Sequence, residues 1–159
     1  MKLYLAGPMS GIPQFNYPAF MEAAENLREE GYDVRNPAEL DTPEVKAQAV
    51  ASTDGMFNPD GGIGGQTWGD FLRKDVKIVA DEVDGVCLLP GWANSRGARL
   101  EAYVALTVQK PVFYYFRWYD GETGEVKTGV EKMGEEFIMR TITQNTLDQG
   151  DTTRYGGTK

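Results

Sequence analysis

The sequence contains no histidine, and this absence removes the most common general base and the most common metal ligand of proteins. Mechanisms that need a Ser-His-Asp or a Cys-His arrangement are therefore excluded. The single cysteine, Cys87, cannot form an internal disulfide. Because it lies inside an apolar run, we expect it to be buried as a small hydrophobic side chain.

Basic stretches and long apolar segments are also missing. The formal net charge is −8, and no basic stripe argues for a nucleic-acid or anionic-membrane partner, although backbone amides can still bind a small anion. No apolar run approaches the length that spans a membrane. The opening MKLYLAGPM is too short for a signal sequence and breaks at Gly7-Pro8. We therefore expect a cytoplasmic protein that needs neither a metal nor a cofactor.

The order of the remaining patterns predicts one α/β domain over residues 1–147, followed by a flexible tail over 148–159. Short apolar runs predict strands over 2–6, 32–35, 84–90 and 111–116. Apolar residues at helical spacing predict helices over 18–30, 68–81, 97–109 and 130–145. This alternation predicts a doubly wound, flavodoxin- or Rossmann-like parallel sheet of four to five strands, with the common strand order 2-1-3-4 and flanking helices.

Two stretches have less regular patterns. Residues 38–67 contain a short helix near 47–51 and a Gly-rich loop at 54–65, which we expect to be a mobile surface segment or a lid over a site. A turn or hairpin is predicted around Asp120-Gly121. We expect the last helix to turn three apolar side chains toward the core: Met133, Phe137 and Ile138.

Glu101 stands on the apolar face of the helix predicted over 97–109, whereas Arg99 and Lys110 are expected on its solvent face. A buried carboxylate is costly unless it is paired. One explanation is structural, through interaction with the helix N-terminus or a salt bridge to Arg99 or Arg96. The other explanation is that the carboxylate performs chemistry.

Asp75 repeats this pattern on the preceding helix, because apolar residues lie three and four positions before it and four after it. Ligands of an open α/β sheet bind beyond the carboxyl ends of the strands, where the strand order reverses. The loops 7–11 and 90–97 should meet there. We therefore expect Asp75 and Glu101 to face one another across a pocket bounded by these loops, with part of residues 41–67 above it.

Two carboxylates at one crevice, in a chain without histidine, suggest glycosyl chemistry. One acid attacks the anomeric carbon and the other transfers a proton. Retaining pairs lie about 5–5.5 Å apart and inverting pairs about 6.5–9.5 Å apart.

The motifs that surround these acids resemble one known superfamily. They are the opening YLAGPMSG, then Asp75 followed by DGVCLLPGW, and SRGARLE, which fits Ser-x-Gly-x-x-x-Glu. In this order they resemble the nucleoside 2-deoxyribosyltransferase superfamily, which includes the deoxynucleoside 5′-monophosphate N-glycosidases, and in particular a branch of small phage and bacterial proteins. The resemblance spans residues 3 to about 113.

The resemblance implies that Glu101 is the nucleophile that forms a deoxyribosyl-enzyme intermediate, kept ionised by the helix dipole, and that Asp75 assists at the base or sugar. The reaction would cleave the N-glycosidic bond of a deoxynucleoside or its 5′-monophosphate, by transfer to another base or by hydrolysis. The residues implied to hold the sugar and any 5′-phosphate are Gly7, Pro8, Met9, Ser10, Gly11, Ser95 and Gly97.

Four further side chains are candidates for contacts with the substrate. Phosphate-binding members of the superfamily carry an arginine in the first loop, where this chain has Met9 or Ser10, and Arg96 or Arg99 could substitute. Trp68 and Trp92 flank the predicted crevice, where each could stack on a nucleobase or pack in the core.

Two alternative functions that involve no catalysis are also compatible with the sequence. The same crevice could sequester a nucleotide or a nucleotide-derived signal without turnover. The aromatic segment VFYYFRWY could instead make the chain a structural subunit, because aromatic side chains suit interfaces. As partners we expect a small-molecule nucleoside or nucleotide and further copies of the chain in a homo-oligomer (a dimer or higher), with no nucleic acid and no membrane.

Overall fold

The computed structural model describes residues 1–148 and confirms the single α/β architecture. In chain order the strands are β1 (Lys2–Ala6), β2 (Asp33–Arg35), β3 (Gly62–Ile63), β4 (Gln66–Thr67), β5 (Gly85–Leu88), β6 (Val112–Tyr119) and β7 (Val126–Lys132). The helices are α1 (Tyr17–Glu29), α2 (Pro37–Leu40), α3 (Pro43–Ala51), α4 (Trp68–Asp81), α5 (Arg96–Thr107) and α6 (Glu135–Asp148). Short 3₁₀ turns cover Pro13–Asn16 and Trp92–Asn94.

The main sheet has the strand order β2-β1-β5-β6-β7, and β3 pairs with β4 in a small antiparallel hairpin. The first four strands of the sheet are parallel, which confirms the predicted order 2-1-3-4. The strand order reverses between β1 and β5, and their last residues, Ala6 and Leu88, are register partners. The loops that leave β1 and β5 therefore start side by side.

Both faces of the sheet are covered by helices, which explains why the parallel strands are continuous apolar runs. One core contains side chains of α1, α2 and α3, such as Phe20 and Leu27. The other core contains side chains of α4, α5 and α6, such as Val79, Ala102 and Ile138. Cys87 is a buried free cysteine, as predicted.

The C-terminal part of the described chain corrects the predicted last helix. β7 returns antiparallel to β6 as the second limb of the hairpin predicted around Asp120-Gly121, so residues 130–132 are strand. Helix α6 begins only at Glu135. Its residue Ile138 is fully buried, but Phe137 is 57% exposed. Adjacent helical residues point about 100° apart, so a single buried row accommodates only one of the two.

Two basic side chains of α5 and its end do not lie on the solvent face, contrary to the prediction. Arg99 is buried, and its Nη1 donates to the carbonyl of Ala93 at 2.8 Å. The Nζ of half-buried Lys110 donates to the carbonyls of Val79 and Ala80 at 2.9 and 2.7 Å, where α4 ends. Both side chains satisfy carbonyl groups that secondary structure leaves unpaired, a use that periodicity alone does not indicate.

The segment between β2 and α4 is more ordered than its pattern suggests. Side chains cap both of its short helices, because Asn36 accepts from the Ala38 N–H and Thr42 accepts from the Val45 N–H. The Gly-rich loop that follows lies against the loop after β1. The N–H of Gly11 donates to the carbonyl of Gly55 at 2.9 Å, and a Cβ on Gly55 would meet the Ile12 carbonyl oxygen at 2.0 Å.

No helix within residues 1–148 combines the length and the apolar character that a membrane crossing requires. The flexible tail predicted over 148–159 lies outside the described residues, apart from Asp148 at the end of α6.

Candidate active site

A cavity of about 1040 Å³ lies beyond the carboxyl ends of β1 and β5. Its wall is formed by the loops that leave these strands, by α4 and α5, and by parts of residues 41–67. The wall contains ten of the eleven site residues predicted from the sequence: Gly7, Pro8, Met9, Ser10, Gly11, Trp68, Asp75, Ser95, Gly97 and Glu101. The crevice between the two loops is thus a real cavity that contains both acids.

The two tryptophans have different environments. Trp68 is half-buried at the start of α4 and contributes to the cavity wall. Trp92 is only 5% exposed and packs in the core beneath α4, α5 and α6. For Trp92 the stacking alternative is therefore wrong, and the packing alternative holds.

The Ser-x-Gly part of the third motif brings the two loops together. Ser95 Oγ accepts from the Ala98 N–H at 3.2 Å and so caps α5, and it also donates to the Gly7 carbonyl at 3.4 Å. A Cβ on Gly7 would lie 2.9 Å from the Leu89 Cβ, so the first loop passes closely over the end of β5. A Cβ on Gly97 would meet nothing closer than Ser95 Oγ at 4.0 Å. The backbone at the start of α5 therefore borders open space.

Helix α4 places Asp75 by means of its well-defined start. Thr67 and Asp70 form a capping box: Thr67 Oγ1 accepts from the Asp70 N–H at 3.3 Å, and Asp70 Oδ2 accepts from the Thr67 N–H at 2.9 Å. Asp75 follows in the second half of the helix and lines the cavity. Among residues 1–148, the buried Oδ1 of Asp75 has no hydrogen-bond partner.

Tyr4 joins the two acids. This tyrosine lies in the centre of β1, is 1% exposed, and its hydroxyl donates to Glu101 Oε1 at 3.2 Å. Burial, together with the charges of Glu101 and Asp75, raises the pKa of Tyr4 well above its ordinary value, so the phenol stays a donor. Sequence reasoning missed Tyr4 because it stands inside an apolar strand. The available signal was that β1 ends at the crevice.

Both carboxyl groups hold protons more tightly than usual. Burial raises the pKa of Asp75 to about 6, although Lys74 and the Tyr4 hydroxyl act in the opposite direction. Burial, and then the charge of Asp75, raises the pKa of Glu101 well above its ordinary range, again against the effect of Tyr4. Asp75 and Glu101 therefore behave as one interacting pair of acids.

This direction contradicts the expectation that the helix dipole keeps Glu101 ionised. Glu101 is the sixth residue of α5, beyond the first turn where the dipole acts most strongly. It is also 7% exposed and close to a second carboxylate. Desolvation and like-charge repulsion outweigh the dipole, and the Tyr4 hydroxyl donates a hydrogen bond to the Glu101 carboxyl group.

A third acid, Asp41, lies on the same cavity wall and was not predicted. Its carboxylate is 6% exposed, receives a hydrogen bond from the Tyr17 hydroxyl, and forms an ion pair with Lys74 Nζ at 2.8 Å. Lys74 Nζ also lies 5.4 Å from the centroid of the Phe71 ring. The sequence around Asp41 has no periodic pattern from which its place in the cavity wall could have been predicted.

The arginine that could contact an anionic substituent is Arg96, which lines the cavity at the start of α5. The other candidate, Arg99, is buried with its Nη1 on the Ala93 carbonyl, so its assignment to a substrate phosphate is wrong. Within the described chain, no group of three or more Cys, Asp or Glu side chains could hold a metal ion.

The fold and the site together define a doubly wound α/β protein with a carboxyl pair at its strand-order reversal. The family described as "Domain of unknown function (DUF4406)" matches residues 1–114, and the chain belongs to this family. The match covers β1 to the start of β6 and includes every predicted site residue. No curated protein matches the chain.

Proposed function

We propose that the protein cleaves the N-glycosidic bond of a deoxynucleoside or a deoxynucleoside 5′-monophosphate through a covalent deoxyribosyl intermediate on Glu101. The observation that carries this proposal is the buried Asp75–Glu101 pair with the Tyr4 hydroxyl between its members, on the wall of a cavity large enough for a nucleotide. The resemblance of the three sequence motifs to the nucleoside 2-deoxyribosyltransferase superfamily supports the same reaction.

The raised pKa values of the pair suggest how the proton moves. Near neutral pH we expect the pair to hold one proton between Asp75 and Glu101. Because the pKa of Glu101 is raised well above its ordinary range while that of Asp75 is about 6, this proton resides mainly on Glu101 before the reaction. As the substrate reacts, the proton passes from Glu101 to Asp75 and from Asp75 to the leaving base, and Glu101 attacks C1′ as a carboxylate. The C1′–N bond breaks, a C1′–O bond to Glu101 forms, and the electron pair of the broken bond stays on the protonated base.

The second half of the reaction reverses these roles. An incoming base or a water molecule attacks C1′, the bond to Glu101 breaks, and Asp75 accepts the proton of the attacking group. Throughout both steps the Tyr4 hydroxyl can donate to the Glu101 carboxylate, which stabilises it whenever it is ionised.

The rest of the substrate is bound at the first turn of α5. Helix N-termini present free N–H groups and a positive dipole end, which favour anions. Gly97 leaves open space beside this backbone, and Arg96 lines the cavity next to it. We assign this region, with the loop 7–11, to the deoxyribose and any 5′-phosphate. Homo-oligomerisation and a cytoplasmic location stay predictions.

The experiment that tests the proposal is a base-release screen. The protein is incubated with the four common deoxynucleosides and with their 5′-monophosphates, and free base is measured by chromatography. Release of base from one of these compounds, lost in Glu101→Gln, is the expected result. Binding of a nucleotide without base release would contradict the proposal and favour a nucleotide-sequestering module. A second free base added to the mixture distinguishes transfer from hydrolysis.

A further inference from the structure

Three phenylalanines form a continuous aromatic surface on the cavity wall. The rings of Phe15 and Phe57 meet edge to face, with centroids 5.5 Å apart, and the rings of Phe57 and Phe71 are 6.2 Å apart. All three line the cavity, and Phe57 and Phe71 are only half-buried. The Gly-rich loop supplies Phe57, so this loop takes part in the cavity rather than only covering it.

The backbone that presents Phe15 is strained. Gln14, Phe15 and Asn16 have φ values of 56°, 50° and 59°, three consecutive non-glycine residues in the left-handed region. Each such residue costs on the order of 1 kcal/mol, so surrounding contacts must hold the turn in place. Asn16 Nδ2 donates to the Pro8 carbonyl, and the Gln14 N–H donates to the Ser52 carbonyl, both at 2.8 Å. Strain maintained at a cavity wall is typical of functional positions.

Asp41 adds a polar edge to this aromatic surface. Its two carboxylate oxygens each accept one hydrogen bond, from Lys74 and from the Tyr17 hydroxyl. A carboxylate has about four acceptor positions, so each oxygen of Asp41 can accept one more donor. The ion pair with Lys74 fixes the position of this carboxylate, and hydrogen bonds to carboxylates are among the stronger ones in proteins.

We propose that Phe15, Phe57, Phe71 and Asp41 form a nucleobase subsite that selects guanine. The inference rests on the proposed function, for which it names the base. Guanine is the common base that presents two adjacent N–H donors, N1–H and the 2-amino group, which match the two oxygens of a carboxylate. Adenine and cytosine place a ring acceptor beside their amino group, and thymine places a carbonyl on each side of its N3–H, so all three would face Asp41 with a repelled lone pair.

The position of the subsite suits the chemistry of the leaving group. Asp41 is close enough to Asp75 for its charge to contribute to the raised pKa of that acid. Lys74, which forms an ion pair with Asp41, directly precedes Asp75 in α4. A guanine held against Asp41 would therefore lie beside the group that protonates the leaving base.

The test uses methylated bases that contain no glycosidic bond, so its outcome does not depend on turnover. Binding of 9-methylguanine, 9-methylhypoxanthine, 9-methyladenine and 1-methylthymine to the full chain is measured by calorimetry. We expect 9-methylguanine to bind at least about tenfold more tightly than the other three, because a recognised donor that is missing leaves a buried polar group unpaired. The hypoxanthine probe lacks only the 2-amino group and isolates its contribution.

Two variants assign the effect to residues. Asp41→Asn should remove most of the preference for 9-methylguanine, and Phe57→Leu should weaken all purine probes by about five- to a hundredfold. The matched controls are Asp33→Asn, whose side chain is 54% exposed in β2, and Phe137→Leu, on the exposed face of α6. Both controls should bind the probes like the unmodified protein. If Asp41→Asn does not fold, the selectivity of the unmodified protein and the Phe57→Leu result decide the question.

Failure of the subsite and failure of the proposed reaction give different results. Equal binding of the four probes would overturn guanine selectivity, and absence of binding would overturn the subsite, whether or not deoxynucleosides lose their base. If 9-methylguanine binds as expected while no deoxynucleoside or monophosphate releases base, the subsite stands and the proposed reaction is wrong. Similar rates of base release from all four deoxynucleosides would leave the reaction intact and overturn the selectivity.

Discussion

Asp41 and the Asp75–Glu101 pair lie on the wall of one cavity, but their burial is compensated in opposite ways. Asp41 has a cation and a hydroxyl of its own, from Lys74 and Tyr17. Asp75 and Glu101 have one hydroxyl between them, that of Tyr4, and the buried Oδ1 of Asp75 is unpaired within residues 1–148. Because the pair is buried with too few hydrogen-bond donors to stabilise two negative charges, the pKa of each acid is raised.

The difference separates binding from chemistry. A carboxylate with an ion pair and a hydrogen bond stays charged and fixed, which suits recognition of a ligand. A pair that shares too few donors holds a proton in reserve near neutral pH, which suits acid–base and nucleophilic chemistry. Lys74 lies between the two environments, because it pairs with Asp41 and also lowers the pKa of Asp75.

The largest expected effect concerns the nucleophile. Glu101→Gln keeps the shape of the side chain and its contact with Tyr4 but loses the carboxylate that attacks C1′. We expect base release to fall by at least about 10⁴-fold, as is typical when an enzyme loses its nucleophile. Base release is measured by chromatography, with circular dichroism to check the fold. Near-normal release would disprove the assignment of Glu101, and an unfolded variant would make its role structural.

The next largest effect concerns the proton. Asp75→Asn removes the group that protonates the leaving base, so kcat should fall by about 10²–10⁴-fold while ligand affinity changes little. In the unmodified protein we expect activity to decline on the acid side near pH 6, because Asp75 then takes up the second proton of the pair and can no longer accept the proton of Glu101, which stays neutral and cannot attack C1′. That limb should be absent in Asp75→Asn. Calorimetry with a non-cleavable nucleoside analogue separates the two roles, because lost affinity at unchanged rate would make Asp75 a binding residue.

Much of the fold and part of the site follow from the sequence. Periodicity predicts the parallel strands and helices α1, α4 and α5, because each of these elements buries one continuous apolar face or run. The same periodicity makes Asp75 and Glu101 stand out as candidate site residues, because an acid on the apolar face of a helix is costly to bury unless it has a partner or a function. The shared edge of β1 and β5 then brings them together.

The missed features depend on contacts between segments that are distant in sequence. Asp41 meets Lys74 across 33 positions, and Tyr4 meets Glu101 across 97 positions. Neither partner stands out in its own segment, since Tyr4 fits an ordinary buried strand and Asp41 precedes an ordinary capped helix. Trp92 shows the opposite error, because its place beside the crevice in sequence does not put its ring in the cavity.

A smaller effect, on stability, tests whether Asp41 is compensated by its cation. Lys74→Met retains the apolar stem of the side chain but leaves the 6% exposed carboxylate of Asp41 without its ion pair. Removing one partner of a buried pair costs about 3–5 kcal/mol, and the partial exposure of Lys74 reduces this to about 2–3 kcal/mol. The free energy of unfolding is measured by urea denaturation, with Lys77→Met, on the exposed face of the same helix, as the control. Equal stability of Lys74→Met and Lys77→Met would contradict the claim that Lys74 stabilises the buried carboxylate of Asp41.

The smallest effect has the opposite sign and concerns Asp75. Its pKa in the folded protein, about 6, lies above the ordinary 3.8, so the folded state binds the proton more tightly. The stability that the protonated carboxyl contributes is fully present below about pH 4 and is lost as the pH rises through about 6. Asp75→Asn does not titrate and should therefore match the unmodified protein near pH 4 and exceed its stability by about 1–2 kcal/mol at pH 8. Urea denaturation across this range measures the difference, and the control Asp33→Asn, which retains Asp75, should follow the pH dependence of the unmodified protein within about 0.5 kcal/mol. If Asp75→Asn is less stable than the unmodified protein at pH 8, then the Asp75 carboxylate is stabilised by its surroundings as that of Asp41 is, and the proposed difference between the two acids is wrong.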